Sequence, residues 1–255
     1  MDTAIVELEG VSKWFGKPNA RIEAVSDVTA SILPGEVVVL IGPSGCGKTT
    51  TLRMIAGLEE PSVGSVRIGL PKGGLGGLSM MFQSPALLDW RTVEGNVALP
   101  LEGHSLSKQE IERRVSQILE TVGLSEFRKS RPYELSGGMQ QRVAVARALV
   151  TEPALLLMDE PFGALDLITR NHMALELERI CSGRSITIVL VTHSISEAVF
   201  LGDRIFLMSR RPARIAEVVN VPLSRPRTLE HKLSTEAHDL ENRLAVALEG
   251  QLVAG

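Results

Sequence analysis

The sequence predicts an α/β fold: a largely parallel sheet flanked by helices, with a helical segment set into it. Three observations carry this. The apolar run Val37–Ile41 leads directly into Gly42-Pro43-Ser44-Gly45-Cys46-Gly47-Lys48-Thr49, and Leu52, Met54 and Ile55 follow it at helical spacing. Strand, glycine loop and helix in that order are the context in which G-x-x-x-x-G-K-[ST] holds phosphate. Leu155–Asp159 and Ser185–Val191 are further apolar runs of buried-strand length. Between them and the loop, the stretch from about Leu87 to Ser136 changes to helical periodicity.

Composition narrows the possibilities. The chain has 255 residues, 44% apolar and 22% charged, which suits one well-cored domain rather than disorder. A formal net charge of −3 gives no basic footprint for nucleic acid or anionic lipid. No apolar run reaches membrane-spanning length, and Met1–Glu7 lacks the basic and apolar regions of a signal peptide. Only two cysteines occur, one of them inside the glycine loop, so a reducing cytosol is expected rather than a disulfide framework.

Taken in order, Ile5–Leu8 alternates, as does much of Arg21–Ile32, and residues 4–41 read as strands and turns. Trp14 and Phe15 lie among them, and either ring could stack on a purine or simply pack. In the glycine loop, backbone N–H groups and a helix N-terminus would face an anion, Lys48 would reach phosphates, and the Thr49 hydroxyl would ligate Mg²⁺. Gly42, Pro43, Ser44, Gly45, Cys46, Gly47 and Thr50 complete this expected nucleotide-phosphate cradle. Ser65–Ile68 reads as a strand, Gly69–Gly77 as a hairpin-like loop, and Leu78–Phe82 as a strand ending at Gln83. Gln83 could orient a water or sense Mg²⁺, or it could be a loop residue.

Ser107-x-x-Glu110 is a capping box, followed by Ile111, Val115, Ile118, Leu119 and Val122, with Gly123 as the stop. Leu135-Ser136-Gly137-Gly138-Met139-Gln140 opens another helix, and a Ser N-cap with two glycines is a second possible anion site. Leu155–Asp159 ends in adjacent acids, where open parallel sheets bind ligands. Asp159 suits Mg²⁺ and Glu160 could polarise a water. Asp166 caps the next helix, and the strand Ser185–Val191 delivers Thr192-His193, followed by a capping box at Ser194 and Glu197. Arg204–Met208 and Arg214–Val221 read as closing strands. From Thr228 one final helix is expected, carrying Leu229, Leu233, Leu240, Leu244 and Leu248.

These segments together resemble the ATP-binding subunits of ABC transporters over essentially the whole chain. Walker A is Gly42–Thr49, the Q-loop glutamine is Gln83, and the signature is Leu135–Gln140. Walker B is Leu155–Asp159 followed by Glu160, the D-loop is Ala164-Leu165-Asp166, and the switch histidine is His193. The resemblance implies an ABC-type P-loop NTPase core (1–86 and 151–255) with an antiparallel β subdomain and an inserted helical subdomain (about 87–150). It implies two copies assembled head to tail around two ATP and Mg²⁺. Ser136, Gly137 and Gly138 would complete the partner's site, Gln140 and Asp166 are counted with the nucleotide-binding residues, and Glu160 is the general base with His193 on the γ-phosphate. Phe15 would stack on adenine, with Trp14 in reserve. Lys48 and Gln83 join the catalytic group, and Thr49, Gln83 and Asp159 the metal site.

Phe82–Val93 with Asn96-Val97, Arg211–Ile215 and Arg225–Arg227 resemble the nitrate/sulfonate/taurine importer group. Asp89, Ala213, Gly163 and Ser194 depart from its usual residues without removing a catalytic group. The implied role is hydrolysis of ATP to drive uptake of a small anion through separate permease chains, fed by an extracytoplasmic solute-binding protein. The implied location is peripheral, on the cytoplasmic face of the inner membrane. Uptake of another solute, such as a thiamine precursor, or a non-transport ABC ATPase, are the alternatives.

Overall fold

The computed structural model describes residues 3–17, 19–70, 75–163, 165–183 and 186–253. In chain order the elements are β1 (Val6–Phe15), β2 (Ile22–Ile32), β3 (Val37–Ile41), α1 (Lys48–Ile55), β4 (Val63–Ile68) and β5 (Leu78–Met81). There follow α2 (Val93–Ala98), α3 (Lys108–Thr121), α4 (Gly137–Leu149), β6 (Leu155–Asp159), α5 (Leu167–Gly183) and β7 (Thr187–Val191). The chain continues through α6 (Ile195–Leu201), β8 (Arg204–Met208), β9 (Ile215–Asn220), α7 (Leu229–Lys232) and α8 (Thr235–Val253).

The apolar runs become the central sheet, in the order β5-β6-β7-β3-β8-β9. All its neighbours are parallel except β8 and β9, which form an antiparallel pair. Alternation along each strand sorts the core onto two faces. Val37, Val39, Ile41, Leu156, Met158, Ile188 and Leu190 pack toward the helices. Val38, Leu40, Leu155, Leu157, Val189 and Val191 pack toward α1 and a second, antiparallel sheet of order β2-β1-β4. Burying each such side chain contributes about 1.5–3 kcal/mol, so β3, β6 and β7 are held from both faces. That rigidity matters because the loops bearing the site residues leave the carboxyl ends of these strands.

Helices α2, α3 and α4 pack on one another, with Val115, Leu119, Val143 and Ala144 buried between them. Among the described residues, no helix is long and apolar enough to cross a membrane.

Three expectations need correction. The strands flanking Gly69–Gly77 do not form a hairpin: β4 belongs to the antiparallel sheet and β5 pairs with β6 in the central one. Residues 71–74 of that loop lie outside the described residues. The helix expected from Thr228 is two helices, because Ser234 caps both ends, donating to the His231 carbonyl (2.8 Å) and accepting from Ala237 N–H (3.1 Å). Leu229 and Leu233 are therefore exposed at 50% and 66%, while Leu240 and Leu244 are buried. The two capping boxes are half-formed. Ser107 and Ser194 accept from the N–H groups of Glu110 and Glu197, but those carboxylates turn elsewhere. Glu110 binds Arg113 and Arg114, which hold its carboxyl at about 2, and Glu197 accepts from Thr192.

Candidate ATP-binding and hydrolysis site

The glycine loop wraps back on its own lysine. Lys48 is the first residue of α1, and its Nζ donates to the carbonyls of Gly42 (2.8 Å) and Pro43 (2.9 Å). Burial lowers its pKa, with Cys46, Glu160 and Asp159 acting in the opposite direction. The loop backbone needs glycine at two points. At Gly47 (φ 131°) an added Cβ would stand 2.5 Å from the Ala24 carbonyl oxygen and 2.8 Å from the Ala213 Cβ. At Gly42 it would meet the Met208 carbonyl oxygen at 2.7 Å. Among the described residues no side chain caps α1, so the N–H groups of its first turn remain for a ligand.

The carboxyl end of β6 supplies the two acids, and they differ sharply. Asp159 is buried and accepts the Thr49 hydroxyl at 3.0 Å; loss of water around its charged form raises its pKa. Glu160 has a left-handed backbone (φ 50°), a conformation that costs a non-glycine residue about 1–2 kcal/mol. Its N–H is fixed on the Val191 carbonyl at 2.9 Å. Its carboxylate is held from two sides: Gln83 Nε2 donates to one oxygen at 3.0 Å, and His193 Nε2 lies 2.6 Å from the other.

His193 follows β7 and is itself framed. The Thr192 hydroxyl donates to Glu197 at 2.5 Å and accepts the Ser194 N–H at 3.0 Å. The Ser194 hydroxyl accepts Glu197 N–H at 3.2 Å. Desolvation raises the pKa of buried Glu197.

Phe15, Ile22, Ala24, Gly45, Gly47, Lys48, Thr49, Thr50, Glu160, His193 and Arg211 line one cleft of about 360 Å³. Its ends differ in chemistry: Phe15, Ile22 and Ala24 make an apolar shelf, and Lys48, Thr49 and Thr50 face an anion end. Phe15, 40% exposed, is the aromatic at this cleft, whereas Trp14 does not line it. Gly42, Pro43 and Cys46 touch the cleft through Lys48, Asp159 through Thr49, and Gln83 through Glu160. Ser44 is exposed on the loop.

Other expected residues lie elsewhere. Ser136, Gly137, Gly138, Gln140 and Asp166 do not line the cleft. Ser136 and Gly137 are exposed at the start of α4, and Gln140 is bound to the carbonyls of Pro132 (2.9 Å) and Leu135 (3.4 Å). Asp166 caps α5, accepting from Ile168 N–H, Thr169 N–H and the Thr169 hydroxyl, which lowers its pKa. Ala164 lies outside the described residues. Ile22, Ala24 and Arg211 are cleft residues that sequence reasoning did not place. The first two are signalled by β1–β2 pairing, since Ile22 stands opposite Phe15; for Arg211 no local signal exists.

Such a cleft can bind a base at one end and phosphates at the other, with a carboxylate oriented to take a proton from water. A family model described as ABC transporter matches residues 25–163. The aliphatic sulfonates import ATP-binding protein of Bacillus cereus is 42% identical over 232 residues, covering 88% of this chain and 90% of that protein. The nitrate import ATP-binding protein of Synechococcus elongatus is 41% identical over 235 residues, 90% of this chain and 86% of that one. The spermidine/putrescine import ATP-binding protein of Thermobifida fusca is 48% identical over 211 residues, 80% of this chain and 55% of that one. A solved dimeric ATP-binding cassette in a post-hydrolysis state, bound to ADP and Pi, matches with TM-score 0.77 and 32% identity, covering 86% of this chain and 100% of that one. Phosphate loop, paired strand-end acids and these likenesses converge: the chain belongs to the ABC transporter family, as an ATP-binding, ATP-hydrolysing subunit.

Proposed function

We propose that this chain energises an importer of a small anionic solute, such as nitrate, a sulfonate or taurine, by hydrolysing ATP beside a separate permease. The observation that carries the hydrolytic part is the grip of Gln83 and His193 on Glu160, next to Lys48. Glu160 takes the proton of a water attacking the γ-phosphorus; the bond to the ADP oxygen breaks, leaving ADP and phosphate. Lys48 leaves its loop carbonyls for the β- and γ-phosphates, and His193 reaches the γ-phosphate. Gln83 links the site to the helices α2–α4. Phe15 stacks on adenine above Ile22 and Ala24.

Mg²⁺ fits the donor set, because the Thr49 hydroxyl, the Asp159 carboxylate and the Gln83 amide oxygen are hard ligands. When bound it draws charge from the phosphate oxygens. We assign 1–86 and 151–255 to the nucleotide-binding core with its β subdomain, and about 87–150 to a helical subdomain.

A head-to-tail homodimer supports the reading of the signature loop, since Ser136 and Gly137 are exposed and stand outside their own chain's cleft. Ser136, Gly137 and Gly138 complete the partner's site, so the γ-phosphate holds the two copies together, and Gln140 and Asp166 belong to the nucleotide-binding set. The assembly sits peripherally on the cytoplasmic face of the inner membrane, and a solute-binding protein feeds the permease. The anion assignment is supported by the sulfonate and nitrate relatives and by the Phe82–Val93 pattern; the polyamine relative is the reason to test it.

Affinity purification from detergent-solubilised membranes, with co-eluting chains identified, tests the transport reading. A polytopic permease is expected, and its solute-binding partner should bind nitrate or sulfonates over polyamines. Recovery of ribosomal or DNA-repair proteins without a membrane chain would overturn it. Glu160→Gln should still bind ATP but hydrolyse it about 10²–10⁴ times more slowly, trapping an ATP-bound dimer. Normal turnover would remove Glu160 from its role.

A further inference from the structure

Arg211 enters the nucleotide cleft from an element that has no part in the loop, the strand-end acids or the histidine. It sits in the turn between β8 and β9, and that turn is heavily tied down. The Ser209 N–H donates to the Arg214 carbonyl (2.9 Å) and the Arg214 N–H to the Ser209 hydroxyl (3.0 Å). That hydroxyl's one proton lies within reach of the Arg210 (2.9 Å) and Pro212 (3.1 Å) carbonyls. The turn is also stitched to β2: Ala213 N–H donates to the Ala24 carbonyl and Ser26 N–H to the Ala213 carbonyl, both at 2.9 Å. Buried Ala213 fills the space against Gly47. The guanidinium thus leaves from a fixed base at the rim of the phosphate loop.

Its own bonding is half used. Nε and Nη2 donate to the Gly45 carbonyl at 3.3 and 3.1 Å. Nη1 donates to no group among the described residues, although Arg211 lines the cleft. A guanidinium carries five N–H donors in one plane, so anchoring one edge orients the rest without further loss of side-chain freedom. Lys48 is the other cation lining this cleft and Glu160 its carboxylate, so Arg211 adds a second positive charge to one negative one.

We propose that Arg211 is a nucleotide-binding residue: its edge on Gly45 holds the loop, and its free donors and charge engage the phosphates of the bound nucleotide. This rests on the cleft's being the ATP site. The competing role is simple bracing of the Gly45 carbonyl, and side-chain chemistry separates the two. Glutamine can donate one N–H to Gly45 but carries no charge, whereas lysine keeps the charge.

Binding of MgATP and MgADP to the full chain, measured calorimetrically at low and high salt, tests this. Arg211→Ala and Arg211→Gln should both weaken ADP and ATP about five- to tenfold at low salt, with the gap shrinking as salt rises. Arg211→Lys should stay within about threefold of the parent. Melting temperatures are compared in parallel; if Arg211→Ala unfolds, Arg211→Gln decides. Affinity within twofold of the parent for Arg211→Ala, or full recovery in Arg211→Gln, would overturn the proposal. If the parent chain bound no ATP, the reading of the cleft would fall instead.

Discussion

Helix α1 and helix α4 both begin at glycine-rich loops, yet they are finished in opposite ways. At α1, among the described residues, no side chain caps the first turn, and the buried Lys48 binds loop carbonyls and a thiol. At α4 the Ser136 hydroxyl accepts the Met139 N–H at 3.3 Å, and Gln140 closes the preceding turn through the Pro132 and Leu135 carbonyls. The first terminus leaves its opening N–H groups to a ligand; the second has one of them capped by its own serine and faces outward. An N-terminal cap is worth about 1 kcal/mol, so α4 carries that stabilisation within its own chain, while α1 leaves it to an incoming anion. The contrast fits the proposal that one loop serves its own chain's nucleotide and the other a second chain.

The largest expected effect breaks the comparison directly. Lys48→Ala should cut ATPase activity on the order of 10²–10³-fold and remove ATP binding by the isolated chain. Ser136→Arg should lower turnover by about 10²-fold while leaving the isolated chain's affinity for ATP within about twofold. Both affinities are read by titration at protein concentrations where the chain is monomeric. Weakened binding in Ser136→Arg under those conditions would place α4 in its own chain's site and erase the difference.

Legibility followed the range of the interaction. The strands β3, β6 and β7, the glycine loop and the caps at Ser107, Ser136 and Asp166 were readable because each depends on residues a few positions apart. The convergence of Gln83 and His193 on Glu160 was not derivable from spacing. It joins residues from the ends of β5, β6 and β7, and only the family resemblance brought them together. The Gly69–Gly77 loop was misread because a glycine-rich turn between two short strands looks alike whether or not the strands pair; the antiparallel sheet captured β4 and the central sheet captured β5. At the C-terminus the leucine spacing continued across a break that one serine imposes, since Ser234 bonds the chain on both sides. Arg211 was invisible in this sense too: its place at Gly45 depends on how the β8–β9 turn is stitched to β2.

Sterics sharpen the comparison next. Gly47→Ala would force a methyl into the Ala24 carbonyl and Ala213 at a positive φ, and should destabilise the chain by about 2–4 kcal/mol. A lowered urea midpoint at unchanged slope would report it; an unchanged midpoint would mean the loop is free to shift.

A smaller effect separates charge from shape at the phosphate end. Asp159 holds its proton more tightly when folded than the ordinary value of 3.8, because burial disfavours the charged form. Its contribution to stability is therefore greatest below pH 3.8 and declines as pH rises through the folded pKa above it. Asp159→Asn keeps an acceptor for Thr49, so it should stabilise the nucleotide-free chain at pH 7 by about 1 kcal/mol while abolishing Mg²⁺-dependent hydrolysis. That gain should vanish in acid, where both side chains are neutral. A gain that persisted at pH 3 would mean shape, not charge, is responsible.

The least effect is expected at the outward-facing terminus, and its sign is informative. Gly137 is the first residue of α4, and an added Cβ there would meet no heavy atom within 4 Å. Alanine costs the unfolded chain conformational freedom that glycine keeps, so Gly137→Ala should raise stability by about 0.4–1 kcal/mol. The same glycine-to-alanine change would thus move the urea midpoint in opposite directions at the two termini. A loss of stability in Gly137→Ala would show α4 to be enclosed by its own chain, as α1 is. A gain, measured alongside reduced ATPase at concentrations that favour the dimer, would show that what closes on this glycine comes from outside the chain.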